Sequence, residues 1–83
     1  MAKHYLKTVQ PFFSDVKNGT KTFELRRNDR NFQVGDVVCL LEYDAESQSL
    51  SGNQVNVRIT YLLQDWPGLA VGFCIFSFVT ELP

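Results

Sequence analysis

The sequence predicts a mainly β protein, a closed or nearly closed barrel of five or six short strands with one short helix near its start. Short apolar runs recur at regular spacing between turn residues, which is typical of small barrels. Helical periodicity occurs in only one short stretch. The length of 83 residues suits a single domain with a small core, and 45% apolar and 20% charged residues are a globular composition.

The first half of the chain predicts a strand, a helix and a strand. HYLKTV, at 4–9, is a short strand candidate. Residues near 10–18 predict about two helical turns, because Pro11 suits a first turn and the apolar residues share one stripe. Gly19 follows as a stop signal. TKTFELRR, at 20–27, alternates as a strand does, with apolar and charged side chains on opposite faces.

The second half predicts three more strands. VVCLLEY, at 37–43, has apolar residues at both odd and even positions, so this strand should be buried on both faces or wrapped into a barrel. The acidic, serine-rich stretch 44–53 ends in Gly-Asn and predicts an exposed hairpin loop. Residues 54–63 alternate cleanly, and 71–79 form a final buried strand after a loop around Pro67.

The basic residues are distributed unevenly. The net charge is −1, but residues 17–30 hold five basic and two acidic side chains, net +3, and the rest holds three basic and seven acidic, net −4. This asymmetry predicts a local site for an anion on a mildly acidic body. It argues against non-specific coating of DNA or of an acidic membrane.

The cysteines and the histidine give no sign of a metal or nucleophilic centre. Cys39 and Cys74 lie in apolar runs and are expected to be buried, reduced and unpaired. His4 has no cluster of ligands around it in sequence and is expected at a strand edge. There is no phosphate-binding glycine loop, and no cofactor is predicted.

No signal peptide is expected at the N-terminus, because no apolar stretch follows the charges of MAKHYLK, and the longest uncharged apolar run has nine residues. No membrane partner is expected, and the localisation predicted is cytoplasmic.

The charged strand admits two interpretations. Glu24 and Arg26 share one face, whereas Lys21 has the opposite parity and joins them only if the turn at Gly19 bends the start of the strand. Converged on one pocket, an arginine fork and an ammonium could hold phosphate or carboxylate, and a carboxylate could accept from a base amino group. Alternatively, the strand presents a solvated face with exposed ion pairs of little consequence.

The segment GTKTFELR, residues 19–26, resembles the G-x-K-x-x-E-x-R signature of ASCH domains in the PUA-like superfamily. The preceding helix and the following NDRNFQVGD agree with a small bacterial and phage branch, and the likeness runs from about Tyr5 to Val79. The resemblance implies a PUA-like pseudo-barrel with a cleft beside the helix. That cleft would bind RNA or a nucleotide through Lys21, Glu24 and Arg26.

The resemblance also implies that Gly19 allows the turn. Beside it, the residues themselves suggest further candidates: Arg27 and Arg30 either widen a phosphate-binding rim or are simply solvated. Trp66 either stacks on a base or plugs one end of the barrel. The three tyrosines are expected in the core or in cross-strand pairs. The oligomeric state stays open.

Two other functions remain open. The chain could be a protein-interaction or phage-derived accessory domain without a ligand. It could also be an amidohydrolase on N4-acylated cytidine nucleosides. The ASCH branch with that activity has a Thr in place of Glu24 and an acid from a later helical segment that has no counterpart here.

Overall fold

The structure, a computed structural model, describes residues 1–81 and is mainly β. Five strands form one curled half-barrel sheet in the order β1-β3-β4-β5-β2. β1 and β3 run parallel, and the other neighbouring strands are antiparallel. The elements are β1 (Lys3–Thr8), α1 (Phe12–Lys17), β2 (Phe23–Arg27), β3 (Val37–Asp44), β4 (Ser49–Gln64) and β5 (Phe73–Thr80). The predicted fold class is therefore confirmed.

The core lies inside the curl of the sheet, where alternate side chains of each strand meet. In β5, for example, Cys74, Phe76 and Phe78 are buried, and their neighbours are half-exposed or exposed. Cys39 and Cys74 are both buried free thiols, as predicted. The main core cluster consists of Leu6, Val16, Phe32, Val38, Leu40, Val57, Ile59, Cys74, Phe76 and Phe78.

The hairpin between β3 and β4 is tighter than the sequence predicted. The stretch 44–53 was expected to be a loop, but β4 starts at Ser49 and continues the ladder with β3. These polar residues form strand because Glu42 accepts hydrogen bonds from Ser51 Oγ at 2.7 Å and Asn53 Nδ2 at 3.0 Å. These hydrogen bonds, together with the cross-strand pair of Tyr43 and Leu50, support an exposed and mostly polar ribbon.

Strand β2 has its charged face inward and its apolar face outward. Glu24 is only 3% exposed, whereas Phe23 and Leu25 are 48% and 54% exposed. Alternation was predicted, but the interpretation as a solvated charged face is wrong for Glu24. The outward apolar side chains continue across the sheet, because Phe23 pairs with Ser77 and Ser77 pairs with Tyr61.

The edge strands β1 and β2 border a gap that we call the seam. Arginine side chains bridge it in place of a backbone ladder. Arg26 Nη2 donates to the carbonyl oxygen of Lys7 at 3.1 Å, and Arg30 Nη1 donates to that of Tyr5 at 2.8 Å. The half-barrel is therefore closed on this side by guanidinium groups.

A buried hydrogen-bonded pair lies beneath the N-terminus. His4 lies on the edge strand β1, as predicted, but its side chain is buried, and its Nε2 lies 2.9 Å from Asp36 Oδ2. Burial raises the pKa of Asp36, but hydrogen bonds from His4 and from the backbone N–H groups of Ala2 and Gln33 outweigh it, so that pKa is lowered overall. The pair ties the start of β1 to the loop before β3.

Of the two placements predicted for the tyrosines, the cross-strand one holds for Tyr5 and Tyr61, which pair with Cys39 and Ser77. They are 54% and 65% exposed and do not join the core, because the alternation of β1 and β4 turns them away from it. Within residues 1–81, no helix is long and apolar enough to cross a membrane.

Candidate functional site

A cleft opens at the seam, next to the first residue of α1. Its volume is about 450 Å³. We call it the seam cleft. Residues of both edge strands and of the segment between them line it: Lys7, Thr8, Val9, Phe12, Lys21, Phe23, Glu24, Leu25 and Arg26.

Three charged side chains converge at this cleft around a buried carboxylate. Lys21 Nζ contacts Glu24 Oε2, and Arg26 Nε donates to Glu24 Oε1 at 2.9 Å. Arg26 Nη2 also lies 2.8 Å from Glu24 Oε1. The side chains of Lys21, Glu24 and Arg26 are 16%, 4% and 25% exposed. Two cations around one carboxylate leave the cluster with a net charge of about +1.

The turn after α1 explains how Lys21 reaches this cluster. Gly19 has φ of +86°, a conformation that glycine adopts without steric cost. The N–H of Lys21 then donates to the carbonyl of Asp15 at 2.9 Å. Strand β2 begins only at Phe23, so the alternation rule that separated Lys21 from Glu24 in the sequence does not apply to it.

Two aromatic rings flank the ammonium group of Lys21. Its Nζ lies 4.9 Å from the ring centroid of Phe23 and 5.6 Å from that of Phe12. Both rings are 48% exposed and line the cleft. Sequence reasoning did not assign them to the site, because each fitted an apolar stripe of its own element. The sequence feature that could have assigned Phe12 and Phe23 to the site was their position before and after Lys21.

The cluster has unused donors but no unused acceptor. Within residues 1–81, Arg26 Nη1 makes no hydrogen bond, and Lys21 donates to two acceptors, Glu24 and the Phe23 carbonyl, out of three possible. Both oxygens of Glu24 are engaged, and the residue is 3% exposed. Glu24 was expected to accept a hydrogen bond from a ligand, but this geometry leaves it no accessible oxygen for one. Its contacts instead position the two cations.

The comparisons with known proteins place the chain in a family. The model described as "Domain of unknown function (DUF3850)" matches residues 3–78, which include the whole seam cleft. The chain belongs to this family. It is also similar to a protein of Escherichia phage P2 described as "Uncharacterized 12.9 kDa protein in GpA 3'region", with 38% identity over 69 residues.

The match to the phage protein covers 80% of this chain and 62% of the relative. The chain thus spans about three fifths of the length of that curated relative. The chain is thus a β domain of this family that is similar to a phage protein.

The remaining predicted site residues lie outside the seam cleft. Arg27 projects to the outer face, with its guanidinium 4.7 Å from the Phe73 ring centroid. Arg30 bridges the seam further along β1, at Tyr5. Trp66 is 64% exposed in the loop after β4, so the prediction that it plugs the barrel end is wrong. A ligand-binding role for these three residues stays a prediction.

A larger groove of about 670 Å³ lies on the other side of Val9 and is acidic. Its lining includes Glu42, Asp44 and Glu46. Hydrogen bonds from Ser51, Asn53 and Gln10 hold the pKa of Glu42 below its usual range. This groove is larger than the seam cleft, but its carboxylates would repel an anion, so we place the candidate site at the seam cleft.

Proposed function

We propose that this chain is a small module that binds nucleotides or short segments of single-stranded RNA in the seam cleft. One observation carries the proposal: two cations with unused donors lie beside the half-exposed rings of Phe12 and Phe23. Rings of this kind stack on bases, and guanidinium and ammonium groups bind phosphate. The ASCH resemblance of residues 19–26 supports the same ligand class.

The contacts suggest a role for each residue of the cluster. Arg26 Nη1 and the third Nζ hydrogen of Lys21 would donate to phosphate oxygens, and a base would lie against a phenylalanine ring. Glu24 would hold both cations in place without touching the ligand. Since the carboxylate has no free oxygen, the site should discriminate among bases only weakly.

The test is a titration of nucleoside monophosphates and short single-stranded RNAs, followed by amide chemical shifts. Residues 19–30 should respond, and affinity should fall as salt rises. Arg26→Ala should weaken binding by about 1.5–3 kcal/mol, the range of a charge-assisted hydrogen bond. Because Arg26→Ala also leaves Glu24 with one partner fewer, Arg26→Lys serves as the milder variant that keeps a cation.

Two further variants make the test specific. Phe23→Leu keeps an apolar side chain but removes the stacking surface, and should weaken binding of nucleotides more than binding of inorganic phosphate. Lys17→Gln removes one exposed positive charge outside the cleft and should change affinity little. If millimolar ligand moves no amide signal from residues 19–30, the binding proposal is wrong.

A second candidate function, a protein-interaction or phage-derived accessory domain, is supported by the outer face of the sheet. Phe23, Leu25, Tyr61 and Val79 are each about half-exposed or more. Leu25→Ser and Tyr61→Ser should then reduce association with a partner or a second copy. Sedimentation of the wild type and these variants over a range of concentrations tests self-association.

A third candidate, hydrolysis of N4-acylated cytidine, receives no added support from the geometry. The acid within reach of Lys21 is Glu24, and both its oxygens already accept hydrogen bonds in an almost inaccessible position.

The two unpaired cysteines support a reducing compartment such as the cytoplasm as the place of action.

A further inference from the structure

The outer side of β1 carries basic and aromatic side chains in alternation. Lys3, Tyr5 and Lys7 are exposed, and successive members lie about 6.5 Å apart along the strand. Lys3 Nζ is 5.4 Å from the Tyr5 ring centroid, and Lys7 Nζ is 4.7 Å from that of Tyr43. Tyr5 is the exposed ring of this row, whereas Tyr43 is half-buried and lines the larger groove. An exposed ring between cations suits a single nucleic acid strand, because rings stack on bases and cations follow the phosphates.

This row is continuous with the seam cleft. Lys7 lines the cleft, and Arg30 reaches β1 at the carbonyl of Tyr5 with its side chain 45% exposed. The contact between Arg30 and Asp29 is 3.9 Å long and solvated, so it holds Arg30 only weakly. Five of the eight basic residues of the chain lie in the cleft or along β1: Lys3, Lys7, Lys21, Arg26 and Arg30.

The acidic groove limits where an anionic strand could run. Glu42 lies opposite Thr8, the last residue of β1, and lines this groove beside Val9 together with Asp44 and Glu46. A polyanion leaving the seam cleft in that direction would meet three carboxylates. The basic residues therefore favour a path from the cleft back along β1 toward Lys3.

We propose that the seam cleft continues along β1 as a track for a single-stranded RNA of several nucleotides. In this β1 track, made of Lys3, Tyr5, Lys7 and Arg30, the tyrosine stacks on a base and the three cations contact phosphates. The inference rests on the proposed function of the cleft. It specifies that the ligand is an oligonucleotide rather than a free nucleotide.

The experiment compares uridine 5′-monophosphate with oligouridylates of three and six nucleotides on the full chain. Affinity should rise at least tenfold from the monophosphate to the hexamer, with a steeper salt dependence for the hexamer. Tyr5→Leu should weaken hexamer binding about tenfold. Arg30→Gln should lower the salt slope by about 0.7. Tyr5→Leu should leave the affinity for the monophosphate unchanged.

Matched controls are Tyr61→Leu, which removes an exposed tyrosine from β4, and Lys17→Gln, which removes an exposed charge from α1. Neither should change hexamer affinity. Each variant's fold is checked by its amide spectrum, so a loss of binding through unfolding is recognised.

Three results would overturn the track. The first is equal affinity for the monophosphate and the hexamer, in which case nucleotide binding in the cleft would still stand. The second is a hexamer affinity that Tyr5→Leu and Arg30→Gln do not change. The third is binding of a hexaglutamate peptide as tightly as the RNA, with the same response to the variants. If neither the monophosphate nor the hexamer binds, the proposed function of the cleft fails as well.

Discussion

Replacing Glu24 with Gln should destabilise the protein substantially, although it changes one side-chain oxygen for an amide. Glu24 is 3% exposed and accepts hydrogen bonds from Lys21 and Arg26. A glutamine can offer its oxygen to one cation only, and its NH₂ group then faces the other. One charge-assisted hydrogen bond, about 1.5–3 kcal/mol, is lost outright. The cation left without a partner adds to this cost. We therefore expect the free energy of unfolding to fall by about 3 kcal/mol, the lower end of the range for a broken buried ion pair.

Urea unfolding of the wild type and Glu24→Gln at neutral pH measures this loss. A domain of this size has a total stability of roughly 4–12 kcal/mol, so the midpoint should move clearly at constant slope. Glu46→Gln, an exposed carboxylate of the hairpin, is the control and should change stability by less than about 0.5 kcal/mol. Glu24→Gln combined with Lys21→Met should cost less than the sum of the single changes, because the second change removes the unpaired cation.

The reasoning is refuted if Glu24→Gln costs less than about 1 kcal/mol, the value of an exposed ion pair. Additive costs in the double variant would also contradict it, since they would mean that the two side chains do not interact.

Three further predictions concern other parts of the fold. Because the pKa of Asp36 is lowered in the folded state, its contribution to stability is complete above the unfolded pKa of about 3.9 and is lost as pH falls below that value. Asp36→Asn should therefore flatten the decline in the free energy of unfolding, measured with urea, between pH 5 and pH 3. Burial raises the pKa of the Cys39 and Cys74 thiols, so both should react slowly with a disulfide reagent in the native protein and together once it is unfolded; fast native labelling of either would contradict this. Gly19→Ala should cost about 1–2 kcal/mol in urea unfolding from the positive φ alone, since a Cβ there meets no atom within 4 Å, and Gly19→Asn should cost less.

All five strands could be located from local patterns. Alternation, continuous apolar runs and turn residues located them, and the apolar stripe around Pro11 located α1. The extent of the hairpin was missed because most of its residues are polar or small and Leu50 alone does not make an alternating pattern. Their strand structure depends on cross-strand hydrogen bonds to Glu42, which the one-dimensional pattern does not contain.

The candidate site was predictable in its residues but less so in its geometry. Alternation in β2 separates two faces but does not say which face is inward, and here the inward one carries Glu24. The pairing of His4 with Asp36 depends on the parallel register of β1 and β3, which joins residues 32 positions apart. The place of Phe12 beside Lys21 likewise depends on the turn at Gly19. Such contacts come from tertiary packing.

The arginine-bridged seam also bears on how this protein avoids aggregation. A sheet that ends in two free edges offers unpaired backbone to other chains, and lysines and arginines along an edge are a common protection against such pairing. Lys3 and Lys7 flank one edge, and Arg26 and Arg30 cover carbonyl groups of the same strand. Neutralising these cations would therefore remove the protection together with any ligand affinity. Such variants are expected to associate edge to edge at high protein concentration, first as soluble oligomers and then as β-rich aggregates.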